Sequence, residues 1–175
     1  MLQMHLCFDP ILREVASPVA EITSEIRDVL DQMVAMMDEQ NGVGLAAPQV
    51  GISKRFLVMR DVKGPRKSGE KSDDPLLQMI NPRIVARSAD SVTREEGCLS
   101  VLGPDGPVFA DVTRPSAVTV EWTDENGAGH AREFNGVSAR IAQHEIDHLD
   151  GILFIDYLSS AKREMVMRKV KKYKK

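Results

Sequence analysis

The 175 residues suffice for one domain with a real core and fit poorly with two. Apolar residues make up 42% and charged residues 28%, which excludes a disordered chain, and a formal charge of −3 gives no overall case for nucleic-acid or membrane partners. No apolar stretch approaches the roughly 20 residues that span a bilayer, and Asp9, Pro10 and Arg13 interrupt any apolar core of a secretory signal. A cytoplasmic address is therefore expected. The two cysteines, Cys7 and Cys98, form no CxxC pair, which argues against a redox motif or zinc ribbon, and a disulfide between them is not expected in the cytosol.

In chain order, residues 1–8 read as a short strand or extended arm ended by Asp9-Pro10. Thr23 reads as a helix N-cap, and after it Ile26, Leu30, Met33 and Met37 recur at helical spacing, widened by Val29, Val34 and Met36. Their methionines are read as core packing, and the helix should stop near Asn41-Gly42. Residues 42–51 are small and apolar, with one long polar side chain, Gln49. A strand is expected over 55–60, then a charged, Gly/Pro-bearing loop over 62–75, the segment expected to be most mobile. Another strand over 76–86 is expected to be interrupted by Asn81-Pro82. Two more, over 116–122 and 129–134, are joined by the turn Asp124-Glu125-Asn126-Gly127. Helices follow over 137–150 and 159–172. Strands early and helices late, with no βαβ alternation, predict an α+β fold in a single domain over 1–175, with β-sheets packed around the helix over 137–150.

That helix carries Gln143-His144-Glu145-Ile146-Asp147-His148, an HExxH pattern. Four residues slightly exceed one turn of about 3.6, so His144 and His148 share a face and can bind one metal ion. Glu145 stands beside the first histidine, placed to handle the proton of a water without ligating the metal. A catalytic metal usually takes three protein ligands and keeps one position open. Asp156 and Glu164 are available downstream, and Cys98 upstream; thiolate chemistry favours Cys98 over Glu164 without deciding between them. Cys7 and His130 read as a core thiol and an exposed strand residue.

Three segments together carry a resemblance. Gly42-Val43-Gly44-Leu45-Ala46-Ala47-Pro48-Gln49-Val50-Gly51, Glu96-Gly97-Cys98-Leu99-Ser100 and Gln143-His144-Glu145-Ile146-Asp147-His148-Leu149-Asp150-Gly151 resemble, in order and rough spacing, the three motifs of the peptide deformylases. Asp9-Pro10-Ile11-Leu12-Arg13 and Ala16-Ser17-Pro18-Val19 are similar to the family's opening, so the likeness covers nearly the whole chain. It implies removal of the N-formyl group from the formyl-methionine of nascent polypeptides. Cys98, His144 and His148 would hold one divalent metal, expected to be Fe²⁺ and replaceable by Zn²⁺, Ni²⁺ or Co²⁺, with Glu145 as general base. The Gln49 amide and the Leu99 N–H would stabilise the oxyanion, and Gly44 would let the substrate backbone approach as an added strand. Val43, Val137 and Ile141 are the candidate lining of an apolar methionine pocket; Arg140, one turn before His144, is expected near the outer rim with no assigned role.

The chain departs from the family after Ser100, in Val101-Leu102-Gly103-Pro104-Asp105-Gly106-Pro107. Leu102 stands where the family usually has proline, and no arginine appears before Arg114, where many bacterial members place one near the substrate backbone. The departure touches peptide-side recognition and leaves the metal ligands in place; it opens the reading of a specialised copy with an altered N-acyl substrate. The basic segment over 159–175 holds Lys162, Arg163, Arg168, Lys169, Lys171, Lys172, Lys174 and Lys175, a solvated helix face or a ribosome-docking element. No membrane partner and a monomeric state are expected. The rival readings are a zincin-type peptidase using Glu164, and a non-catalytic binding module, against which Glu145 and Gln49 argue.

Overall fold

In the computed structural model, which describes residues 2–64 and 74–173, the Thr23 hydroxyl accepts the Ile26 N–H at 3.4 Å, and helix α1 (Ser24–Glu39) follows. Leu30, Met33 and Met37 point from it into the interior, as their spacing predicts. The chain leaves α1 through Asn41, held in the left-handed region at φ 53°. Ahead of it the first residues form an extended arm outside the sheets: the His5 and Cys7 N–H groups donate to Gln49 O and Ser100 O. Asp9 then caps a 3-10 turn, Pro10–Arg13.

Strand β1 (Gly44–Ala46) runs into a second 3-10 turn, Ala47–Val50, followed by β2 (Phe56–Arg60) and β3 (Leu76–Arg87). The expected break of β3 at Asn81-Pro82 does not occur. Asn81 takes φ 52°, the register shifts between Ile80 and Arg83, and the strand continues through the bulge, a place that tolerates a proline lacking its ladder N–H. The Asn81 amide is held there by Val19, accepting its N–H and donating to its carbonyl, both at 2.8 Å. The expected mobile loop over 62–75 lies largely outside the described residues.

Next come β4 (Ser91–Glu96), the short strands β5 (Leu102–Gly103) and β6 (Gly106–Pro107), and β7 (Ala110–Pro115). Strands β4 and β7 pair as an antiparallel ribbon that the sequence reading missed, because Ser-Val-Thr-Arg-Glu-Glu shows no apolar alternation. The hairpin β8 (Ala117–Thr123) and β9 (Gly129–Asn135) completes a five-stranded antiparallel sheet in the order β1-β2-β3-β8-β9.

Helix α2 (Gly136–Leu149) packs against β1, β2, β8 and β9, and most of its side chains are buried, including polar ones. Helix α3 (Ser160–Tyr173) docks Val166 and Val170 beside Val101, Val108 and Phe154. The α+β architecture expected from the sequence is therefore the one observed, with the HExxH helix at its centre. Among the described residues no helix is long and apolar enough to cross a membrane.

Candidate metal centre

Because α2 advances one turn per about 3.6 residues, His144 and His148 share one face, their rings edge to face with centroids 5.0 Å apart. Cys98 reaches the same point from the segment that leaves β4, with its Sγ 3.2 Å from His148 Nε2. One ligand atom from each of Cys98, His144 and His148 lies within 4.8 Å of the others, and all three side chains are buried. An ion with bonds of about 2.0–2.3 Å needs nitrogen and sulfur donors roughly 3.3–3.8 Å apart. The trio suits a borderline divalent ion.

The chemistry of the donors agrees with that fit. His144 Nδ1 donates to the Glu96 carboxylate at 3.0 Å, which leaves Nε2 as the available ligand atom. Burial, reinforced by neighbouring positive charge, holds His148 well below the usual imidazole range and so neutral. Burial pushes His144 down too, but the Cys98 sulfur and Glu96 outweigh it and raise it above the usual imidazole range; an incoming cation would compete with any proton there. The Ser100 N–H and the Gln49 amide point at the Cys98 sulfur from 3.4 and 3.6 Å, donors that suit a thiolate.

Behind the trio lies a charge network that the sequence did not reveal. Arg114 grips Glu96 through Nε and Nη2 at 2.6 and 3.0 Å and reaches Asp147 with Nη1 at 2.7 Å. Burial raises the Glu96 carboxyl, but His144 and Arg114 outweigh it and bring it down to about 2. Arg140, expected at the rim, is instead buried. Its guanidinium donates to Glu96 and to the Val112 and Val92 carbonyls, so it locks α2 to the β4–β7 ribbon. A buried carboxylate in need of counter-charge draws it inward. The one sequence signal for Glu96 was its place in the second motif, two residues before Cys98.

Cys98 and His144 line a cleft of about 320 Å³, with Gln49, Leu99, Val43, Gly44, Val137 and Ile141, while His148 is fully buried beside them. Glu145 is buried with Oε2 unpartnered among the described residues, and burial pushes its carboxyl up to about 7. A cation beside it would pull that value back down. Gly44 carries a second constraint beyond the one expected: a Cβ there would lie 2.8 Å from Glu145 Cδ, so only glycine lets the carboxylate rest against β1. The Gln49 carbonyl accepts the Ala46 N–H at 2.8 Å, and its amide nitrogen also donates to Ser100 Oγ at 3.1 Å. The Leu99 N–H has no acceptor among the described residues. Val137 is exposed, whereas Ile141 and part of Val43 pack into the main core.

The other candidate ligands lie elsewhere. Glu164 pairs with Arg168 on an exposed face of α3, and Asp156 pairs with Arg13. Cys7 is a buried free thiol, and His130 stacks on Trp122 and bonds to Asp124.

Residues 1–164 match the family model described as polypeptide deformylase. The chain is 48% identical over 164 residues to the peptide deformylase of Rhizobium meliloti (strain 1021), covering 94% of this chain and 88% of that one. It is 46% identical over 164 residues to that of Rhodopseudomonas palustris (strain BisB5), covering 94% and 89%. The fold superposes on the crystal structure of the peptide deformylase from Ehrlichia chaffeensis in complex with actinonin with a TM-score of 0.88. The identity there is 38%, and 99% of this chain and 97% of that one are covered.

Proposed function

The chain belongs to the polypeptide deformylase family, and from that premise we propose a working deformylase in which Cys98, His144 and His148 hold the catalytic ion. It is a metal-dependent hydrolase that removes the formyl group from the N-terminal methionine of nascent peptides. The observation that carries the reading is the convergence of those three donors at a cleft that Cys98 and His144 line together with Glu145 and Gln49.

An ion held by Cys98, His144 and His148 would supply Lewis acidity for the formyl carbonyl and for a water. Glu145 takes the proton of the attacking water and returns it to the departing amine. The Leu99 N–H and the Gln49 amide would donate to the developing oxyanion. Strand β1 is an edge strand, bonded to β2 on one side only, so the peptide can add along its other edge past Gly44. Val137 and Ile141, with Val43, offer the methionine side chain an apolar wall. A formyl carbon bears only hydrogen, so a tight site excludes acetyl and longer acyl groups.

Fe²⁺ is the ion expected in the cell, with Zn²⁺, Ni²⁺ or Co²⁺ able to replace it on the same donors. An iron–thiolate site predicts activity that decays in air and persists anaerobically. We place the enzyme in the cytoplasm as a monomer. On α3, Lys171 and Lys172 are exposed and form no ion pair among the described residues, which supports docking to ribosomal RNA or protein.

The test is formate release from a formyl-methionyl peptide by anaerobically purified, Fe²⁺- or Ni²⁺-loaded protein, beside an acetylated twin. Release from the formyl peptide alone, lost in Glu145→Ala, is expected. Release from the acetyl peptide, or from neither, would contradict the proposal.

A further inference from the structure

We infer that this chain prefers formylated peptides with an apolar side chain at one of the two positions after the methionine, and that the Phe109 ring selects them. The inference rests on the deformylase reading and narrows its substrate.

Phe109 emerges from the segment where the sequence departs from its family. There β5 and β6 form a tight hairpin through Pro104-Asp105, and Gly106, which opens β6, takes φ 112°, a conformation L side chains rarely adopt. The hairpin is fixed at its base: the Val108 N–H donates to Val101 O at 2.9 Å, and both valines are buried beside Val166 and Val170 of α3. The next residue is Phe109, 58% exposed. Its ring packs against Gly97, where a Cβ would meet Phe109 Cε1 at 2.5 Å. The ring is thus seated from below and bare above, one residue from the ligand Cys98, and it lines the same cleft as Gly44 and Glu145. Among the described residues, Phe109 and Val137 are the large exposed apolar side chains that line that cleft.

The charge around the ring points the same way. Exposed Glu95 lines the cleft, and the cleft's one cationic side chain among the described residues, Arg140, is turned inward onto Glu96. An acidic side chain arriving there meets a like charge and no counter-charge. An extended peptide rises about 3.3 Å per residue. With its formyl carbon at the ligands, the two residues after methionine therefore pass within reach of a ring seated on Gly97.

The test measures kcat/KM for formyl-Met-Xaa-Yaa peptides with Leu, Phe, Ala or Asp at each variable position, using metal-loaded wild type, Phe109→Ala and Phe109→Leu. Wild type should favour Leu or Phe over Ala about tenfold at one position, mainly through KM, a ratio expected for burying one apolar side chain. Asp should fall below Ala. The ratio should collapse toward one in Phe109→Ala and survive in part in Phe109→Leu. Because it compares peptides on one enzyme, it is independent of each variant's overall activity. An unchanged ratio in Phe109→Ala, or equal turnover of all peptides by wild type, would overturn the inference and leave the deformylase reading standing. Release from no peptide at all would overturn the reading, and the inference with it.

Discussion

At the scale of the residue, the site depends on contacts one atom deep. Gly44 is the sharpest case, because any side chain there enters the volume of the Glu145 carboxylate. Gly44→Ala should therefore lower kcat by about 10²-fold, the range set by displacing a general base, with the far-UV spectrum unchanged and the ion retained. Glu145→Gln should lose about 10²- to 10⁴-fold while holding the same ion, as metal analysis beside kinetics would show. HExxH was legible because a helix puts residues four apart on one face, and Cys98 was favoured on chemistry alone. Arg140 was not legible: an arginine one turn from a ligand reads as a rim residue until Glu96, 44 residues away in sequence, is seen beside it.

At the scale of the element, the β4–β7 ribbon and α2 are joined by charge more than by apolar packing. Glu96 pairs with two buried guanidiniums, one of them shared with Asp147, and orients a ligand histidine. Glu96→Gln should cost about 3–5 kcal/mol in urea unfolding, the cost of stranding buried charge, and weaken metal binding about 10- to 100-fold. The ribbon escaped the sequence reading because hydrophobic periodicity is the signal for a strand, and β4 is exposed along most of its length. By contrast α1 announced itself through periodic apolar positions and the β8–β9 hairpin through its turn, and the helices expected over 137–150 and 159–172 are α2 and α3. Helix α3 also dictates how ribosome docking should be tested. Deleting residues 169–175 removes Val170, which is fully buried in the second core cluster, so loss of binding could follow from unfolding. Lys171→Glu with Lys172→Glu leaves that core intact; it should abolish salt-sensitive cosedimentation with ribosomes and leave turnover of free peptides unchanged.

At the scale of the molecule, the N-terminal turn and the start of the C-terminal helix are fastened together by Asp156, bonded to Arg13 and within 3.2 Å of Arg163. Burial raises its carboxyl, but the Arg13 hydrogen bond, the Leu153 N–H and the two positive charges outweigh it, so the folded value is lowered. The stability it contributes is present above the unfolded carboxyl range near about 4, and it is lost as pH falls through the lower folded value. Asp156→Asn should thus melt below wild type at pH 7, with the gap closing toward pH 3. Removing the ion should act on the whole fold as well. With free metal about a hundredfold above its dissociation constant, chelation should lower Tm by about 5–10 °C. The most direct measurement of the central claim is X-ray absorption on the Zn²⁺- or Fe²⁺-loaded protein, alongside Cys98→Ala. The account predicts two nitrogens at about 2.0–2.1 Å and one sulfur at about 2.3 Å, with the sulfur shell and formate release both lost in Cys98→Ala. A wild-type shell without sulfur, or a sulfur that persists in Cys98→Ala, would contradict it.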